Sequence, residues 1–183
     1  MCIRDSSYIE EIWAYGYWAI DRCARIIKEG ASFKEVTKGD LTEVEGCIAQ
    51  AYAIKALCSF YLTNMFGLPY SEANKTTLGI VNVTEPVPAY SQVSRVSVEQ
   101  NYSLILDDIT KAKEYYAKEG VENVGKQYMN TAAVAALEAR VKLYMKNYEG
   151  AITAAQEAIT LSGGTIVSTK EDYKNTVSYT HLT

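Results

Sequence analysis

The sequence predicts an all-α fold in which paired helices are interrupted by one long irregular loop. Three observations lead there. Residues 46–66 read as a single helix that is apolar around most of its circumference, and such a helix is buried by neighbours on several sides. Apolar residues recur at helical spacing through 8–29, 97–117 and 131–161. All three prolines, Pro69, Pro86 and Pro88, fall in the one long stretch without that periodicity, 68–96.

The first helix is expected over 8–29. Ile9, Ile12, Trp13, Gly16, Ile20, Cys23 and Ile27 form its apolar stripe, widened by Tyr17, Ala24 and Ile26, and Gly30 serves as its stop. The polar residues 31–45 read as a connection with a short turn. The central helix follows. Lys55, Ser59 and Thr63 form a narrow polar stripe at i, i+4 spacing in its apolar coat. Gly67 stops it and Pro69 prevents its continuation. Lys55, Gln50 and Asn64 would each be costly in hydrocarbon, which argues for a scaffold helix over a membrane span.

Within 68–96, residues 78–83 suit one short strand-like segment. A long irregular stretch inside a compact domain is uncommon and often functional. Ser97, followed by Gln100 three positions on, has the capping-box pattern of a helix start. Val98, Tyr102, Ile105, Ile109, Ala112 and Tyr116 form the buried stripe of that helix, with Asp107, Asp108, Lys111 and Lys113 on its solvated side. Residues 120–125 read as a linker. The next helix is expected over 131–146, where Ala132, Ala133, Ala136 and Ala139 allow close approach of another helix, alongside Leu143, Val134, Val141 and Tyr144. Asn147 and Tyr148 make a tight turn into a last helix over 149–161, with Ile152, Ala155, Ala158 and Ile159 inward, ended by Gly163 and Gly164. Helices joined by so short a turn pack antiparallel. The spacing of Ala139, Tyr148, Ala151 and Ala158 partly matches a tetratricopeptide (TPR) repeat.

Composition narrows the function. The 183 residues suit one domain or a piece of a larger one. A hydrophobic content of 48% and a charged content of 22% are those of a folded protein, and the net charge of -4 lacks the clustered cations of a nucleic-acid surface. Fifteen tyrosines against 3 Phe and 2 Trp favour core edges and wet binding surfaces. Cys2, Cys23, Cys47 and Cys58 contain no C-x-x-C pair, and His181 is the lone histidine, so a metal site is not expected and the thiols read as small buried groups. Neither a catalytic constellation nor a cofactor motif appears: Asp107 and Asp108 are adjacent on a helix and point different ways. No basic and apolar leader precedes Cys2. The ends, MCIRDS at 1–6 and VSYTHLT at 177–183, resemble translated sequencing-adapter scars and are expected to be non-native, leaving 7–176 as an internal fragment.

Three segments together resemble the SusD/RagB family of outer-membrane nutrient-binding lipoproteins. AQAYAIKALCSFYL at 49–62, followed by FGLPY at 66–70, is similar to the family's E-A-x-x-L-R-A-x-x-Y-F-x-L followed by F-G-x-x-P. Residues 97–112, with Asp107, Asp108, Ile109 and Ala112, resemble its capped helix ending in I-x-x-D-L-x-x-A. Thr131, Ala132 and Ala133 through Ala139 and Arg140, then Tyr148, Glu149, Gly150, Ala151 and Ile152, resemble A-A-x-A-L-x-A-R-x-x-L-x-x-x-x-Y-x-x-A-I. Three departures stand out: Gln50 replaces the family's Glu, Lys55 replaces its Arg, and Pro69 follows Gly67 one residue early.

The resemblance implies TPR-like helical pairs, with 7–176 as the N-terminal portion of a SusD-like helical domain. It implies a noncatalytic binder, without cofactor or metal, that captures a glycan or oligopeptide for a partner TonB-dependent β-barrel transporter. It also implies location at the outer membrane through a lipid anchor missing from this fragment, and no nucleic-acid partner. The alternative is an intracellular TPR-like adaptor binding peptides in a helical groove, which leaves the Pro-containing loop and the F-G-x-P ending unexplained. Ligand contacts are expected from 68–96: Tyr70 and Tyr90, whose rings can stack on sugar faces, and Asn74, whose amide both donates and accepts.

Overall fold

The computed structural model describes residues 3–36, 39–88, 90–164 and 169–174. The principal elements among the described residues follow in the order α1 (Ile3–Val36), α2 (Thr42–Phe66), β1 (Leu78–Val81), β2 (Arg95–Ser97), α3 (Val98–Tyr116), α4 (Thr131–Tyr144) and α5 (Tyr148–Ser162). The fold is helical, with one small antiparallel sheet in which Leu78 pairs with Ser97 and Val81 with Arg95 across an irregular register. The strand expected within 78–83 is β1; its partner β2 was not expected.

The central helix α2 is buried on two sides, as its apolar circumference requires. On one side Ala49, Ala53, Ala56 and Phe60 join Val98, Tyr102, Ile105, Ile109, Ala112 and Tyr116 of α3 and Val134, Leu137 and Val141 of α4 in the main core. On the other side Leu62, with Cys58 and Phe66, meets Ile20 and Ala24 of α1 and Ile80 and Val83 of the strand segment. The entire stripe expected on α3 is buried.

Helix α1 does not stop at Gly30; it continues to Val36, and α2 already begins at Thr42, so much of 31–45 is helical. A Cβ on Gly30 would lie 2.8 Å from Ile48 Cδ1, and one on Gly16 would lie 2.9 Å from Leu62 Cδ2. These glycines let α1 lie close against α2, a packing role that substitutes for the expected end signal. Ile9, Ile12 and Ile26 of the expected stripe are exposed, whereas Ile20, Cys23 and Ala24 are buried.

Local chemistry fixes the other boundaries. Ser97 Oγ accepts from the Gln100 amide at 3.2 Å, and Gln100 Oε1 accepts from the Ser97 amide at 3.2 Å, completing the capping box. Asn130 caps α4 through the Ala133 amide, and Asn147 caps α5 through the Gly150 amide; each such cap contributes about 1 kcal/mol. Gly163 ends α5 in the left-handed region, φ 61°, which a glycine adopts without Cβ strain. Gly67 ends α2 in an extended conformation, donating its amide to Thr63 O at 2.9 Å.

Two further expectations are corrected. Asp108 is buried, not solvated, and Lys113 is half-buried between Glu138 and Glu157. On α5, Ala151 and Ala154 face the core, while Ile152 and Ile159 are exposed; Leu143 and Tyr144 of α4 are exposed too. The small residues, not the large ones, form the close contact between the paired helices. Cys23 is buried and Cys58 half-buried, but Cys47 is exposed. Met1, Cys2 and 177–183 lie outside the described residues, while the backbone from Ile3 is already helical. Among the described residues, no helix is long and apolar enough to cross a membrane, and no three His, Cys, Asp or Glu side chains converge as a metal site.

Candidate functional site

Helix α1 and the segment leaving β1 enclose a trough of about 350 Å³, lined by Trp13, Tyr17, Trp18, Asp21, Arg25, Val81, Val83, Val87 and Val93. That size is in the range of small-molecule sites, which combine apolar walls with a few oriented polar groups. Its aromatic residues recur along one side of α1 at positions 13, 17 and 18, while Asp21 and Arg25 follow at helical spacing. Trp18 is 60% exposed, and its ring meets that of Tyr15 edge-on at 5.4 Å.

The opposite wall is held in place by polar contacts. Tyr17 Oη accepts from the Val81 amide at 2.9 Å and donates to Val81 O at 3.1 Å. Burial raises the Tyr17 pKa, which keeps the phenol neutral and able to do both. Trp13 packs between Tyr17, at 4.7 Å between ring centroids, and Phe66, edge-on at 4.8 Å. Asn101 of α3 clamps β1: its Oδ1 accepts from the Ile80 amide at 2.8 Å, and its Nδ2 donates to Ile80 O at 3.3 Å. Arg95 donates from Nη2 to Phe66 O at 3.0 Å and to Leu78 O at 3.2 Å, tying the strand pair to the C-terminal end of α2.

Asp21 and Arg25 provide the polar edge. Arg25 Nε donates to Asp21 Oδ2 at 2.7 Å, and the carboxylate beside it raises the guanidinium pKa. Together the pair presents both donors and acceptors next to flat apolar rings. This arrangement can take a neutral, hydroxylated ligand with one apolar face; it offers no nucleophile with an oriented base.

The three residues expected from sequence occupy different surroundings. The Tyr70 ring is half-buried, edge-on to Tyr102 at 5.0 Å. Asn74 Nδ2 donates to Pro69 O at 3.0 Å, closing the turn that carries Tyr70. Tyr90 is fully exposed in the left-handed region, φ 64°, between the trough residues Val87 and Val93 in sequence. Tyr70 and Asn74 are therefore brought together, and Tyr90 belongs to the loop bordering the trough. Trp18, Asp21 and Arg25 were missed. An exposed Trp beside an i, i+4 ion pair, off the buried stripe, is the sequence signal that could have found them.

Residues 2–143 match the SusD-like family described as starch-binding and associating with the outer membrane. Among solved structures, a SusD superfamily protein from Bacteroides thetaiotaomicron VPI-5482 is similar at 29% identity and TM-score 0.75, over 89% of this chain and 35% of that one. A SusD superfamily protein from Bacteroides vulgatus ATCC 8482 is similar at 25% identity and TM-score 0.75, over 88% of this chain and 36% of that one. Surface glycan-binding protein A from Bacteroides fluxus shares the fold at 22% identity and TM-score 0.62, over 86% of this chain and 31% of that one. The chain thus spans about a third of the length of these structures. No curated protein sequence matches it.

Proposed function

This chain belongs to the SusD-like family, and we propose that it contributes to noncatalytic capture of a glycan at the outer membrane. The observation that carries this reading is the trough, where the exposed Trp18 ring stands beside the Asp21–Arg25 pair. A sugar ring has apolar C–H faces that stack on an aromatic plane and equatorial hydroxyls that pair with carboxylate and guanidinium groups. Tyr90 adds a second ring on the bordering loop, and Tyr70 and Asn74 are further contacts at the other end of the same loop. The family description as starch-binding and outer-membrane-associated agrees with a glycan in preference to an oligopeptide.

In the complete protein a lipid anchor holds this domain at the outer membrane, and the captured glycan passes to a TonB-dependent β-barrel transporter. No chemical step is assigned to the chain. The test is electrophoresis of the full-length protein through gels containing starch, β-glucan, xylan or mannan, with chromatography of the polysaccharide afterwards. Retardation in at least one gel without new reducing ends is expected. Release of shortened chains, or binding to oligopeptides alone, would overturn the reading.

A further inference from the structure

A second hollow lies between α2, α3 and the segment following β1. It measures about 70 Å³ and is lined by polar groups that include Lys55, Asn82, Thr84, Asp107, Asp108 and Lys111. Lys55 and Asp108 are 8% and 5% exposed, and Lys55 Nζ donates to Asp108 Oδ1 at 2.9 Å.

The orientation of Asn82 follows from the backbone. Ile80 fixes both ends of the Asn101 amide, because its N–H requires Oδ1 and its C=O requires Nδ2. Asn101 Nδ2 then donates to Asn82 Oδ1 at 2.7 Å, which settles the Asn82 amide in turn. Asn82 Nδ2 is left buried with no hydrogen-bond partner among the described residues. A buried donor of this kind costs about 1–3 kcal/mol unless something accepts from it. The Lys55 ammonium carries three N–H donors, of which Asp108 takes one.

We propose that this cleft is a subsite for one hydroxylated arm of a neutral polyol. Two cations, Lys55 and Lys111, face two carboxylates, Asp107 and Asp108, so the lining has no net charge with which to select an ion. A hydroxyl meets both needs: its oxygen accepts from Asn82 Nδ2 or Lys55 Nζ, and its O–H donates to a carboxylate. The volume suits a hydroxymethyl or vicinal diol. Val83 lines both this cleft and the aromatic trough, yet the subsite stands on its own donors and does not depend on the trough.

The experiment is saturation-transfer NMR on the full-length protein with three probes: glycerol as a free polyol, methyl α-glucopyranoside as a sugar-borne hydroxymethyl, and acetate as a charged control. Glycerol, the glucoside or both should receive saturation, reduced about fivefold by Asn82→Leu, as expected for loss of one buried hydrogen bond. Thr84→Val, at an exposed position that leaves the core untouched, should reduce it in the same direction. Circular dichroism confirms that each variant is folded. Saturation of neither neutral probe, saturation of acetate alone, or equal saturation in the parent, Asn82→Leu and Thr84→Val would overturn the proposal. Failure of the trough reading would instead appear as unchanged polysaccharide retardation in Trp18→Ala.

Discussion

Lys55 of α2 and Asp108 of α3 form an ion pair at 2.9 Å, fifty-three positions apart in sequence and both nearly withdrawn from solvent. The pair joins the two helices that supply most of the main core. Burial raises the Asp108 pKa against the lowering effect of Lys55, so desolvation outweighs the attraction in setting that group's proton affinity. Such a pair adds little net stability but cannot be broken cheaply, because the surviving charge remains buried.

Lys55→Met should therefore cost about 3–5 kcal/mol by leaving the Asp108 carboxylate uncompensated. The double variant Lys55→Met/Asp108→Leu should recover most of that loss. Urea denaturation midpoints of the parent, both single variants and the double variant measure it. A double variant as unstable as the sum of the two single variants would show that the sites are not coupled.

Asn101 organises the strand segment, and Gly79 is the residue that lets it approach. A Cβ on Gly79 would lie 1.8 Å from Asn101 Oδ1, with Asn101 fully buried. Gly79→Ala should push Asn101 off β1 and cost about 1–3 kcal/mol through the buried amides left unpaired. Asn101→Ala should cost a similar amount. Amide hydrogen exchange provides the readout: Ile80 should lose protection in both variants while the α3 interior keeps it. Retained protection at Ile80 would refute the clamp.

Alkaline stability should depend on Tyr116. Burial pushes its pKa up from the ordinary 10.0 to about 12, and its hydroxyl donates to Met129 O at 2.6 Å. For an acid whose folded value is raised, the stabilisation is full below the unfolded value and is lost as pH rises through the folded one. The parent should thus lose stability between about pH 10 and pH 12, and Tyr116→Phe should show a shallower decline over that window after a smaller initial stability at pH 8. Cys23, pushed up to about 11 mainly by burial, adds a loss that begins one unit lower, because its ordinary value is 9.0. Chemical denaturation at pH 8, 10 and 11.5 distinguishes the variants; identical slopes would contradict the Tyr116 assignment.

What was legible in the sequence was what is local. The Ser97–Gln100 box lies within one helical turn, and the α3 stripe from Val98 to Tyr116 declares its buried face by spacing alone. Gly30 was ambiguous, because a glycine can end a helix or admit a neighbour, and only the position of Ile48 on another helix decides which. Asp108 looked solvated because its partner Lys55 is remote in sequence. On α5, Ala151 and Ala154 won the core over Ile152 and Ile159, since close helix pairing favours small side chains over large ones. The trough combines residues 13–25 with 81–93, and no periodicity within either segment announces the other.

The trough itself is tested most directly by the affinity of the Trp18→Ala variant. Trp18 is exposed and outside both hydrophobic clusters, so its removal should leave the melting temperature nearly unchanged. Isothermal titration calorimetry with the polysaccharide that retards the parent should give a dissociation constant about tenfold weaker for the variant, a loss of about 1.4 kcal/mol. An unchanged dissociation constant in a folded Trp18→Ala protein would contradict glycan capture at this site.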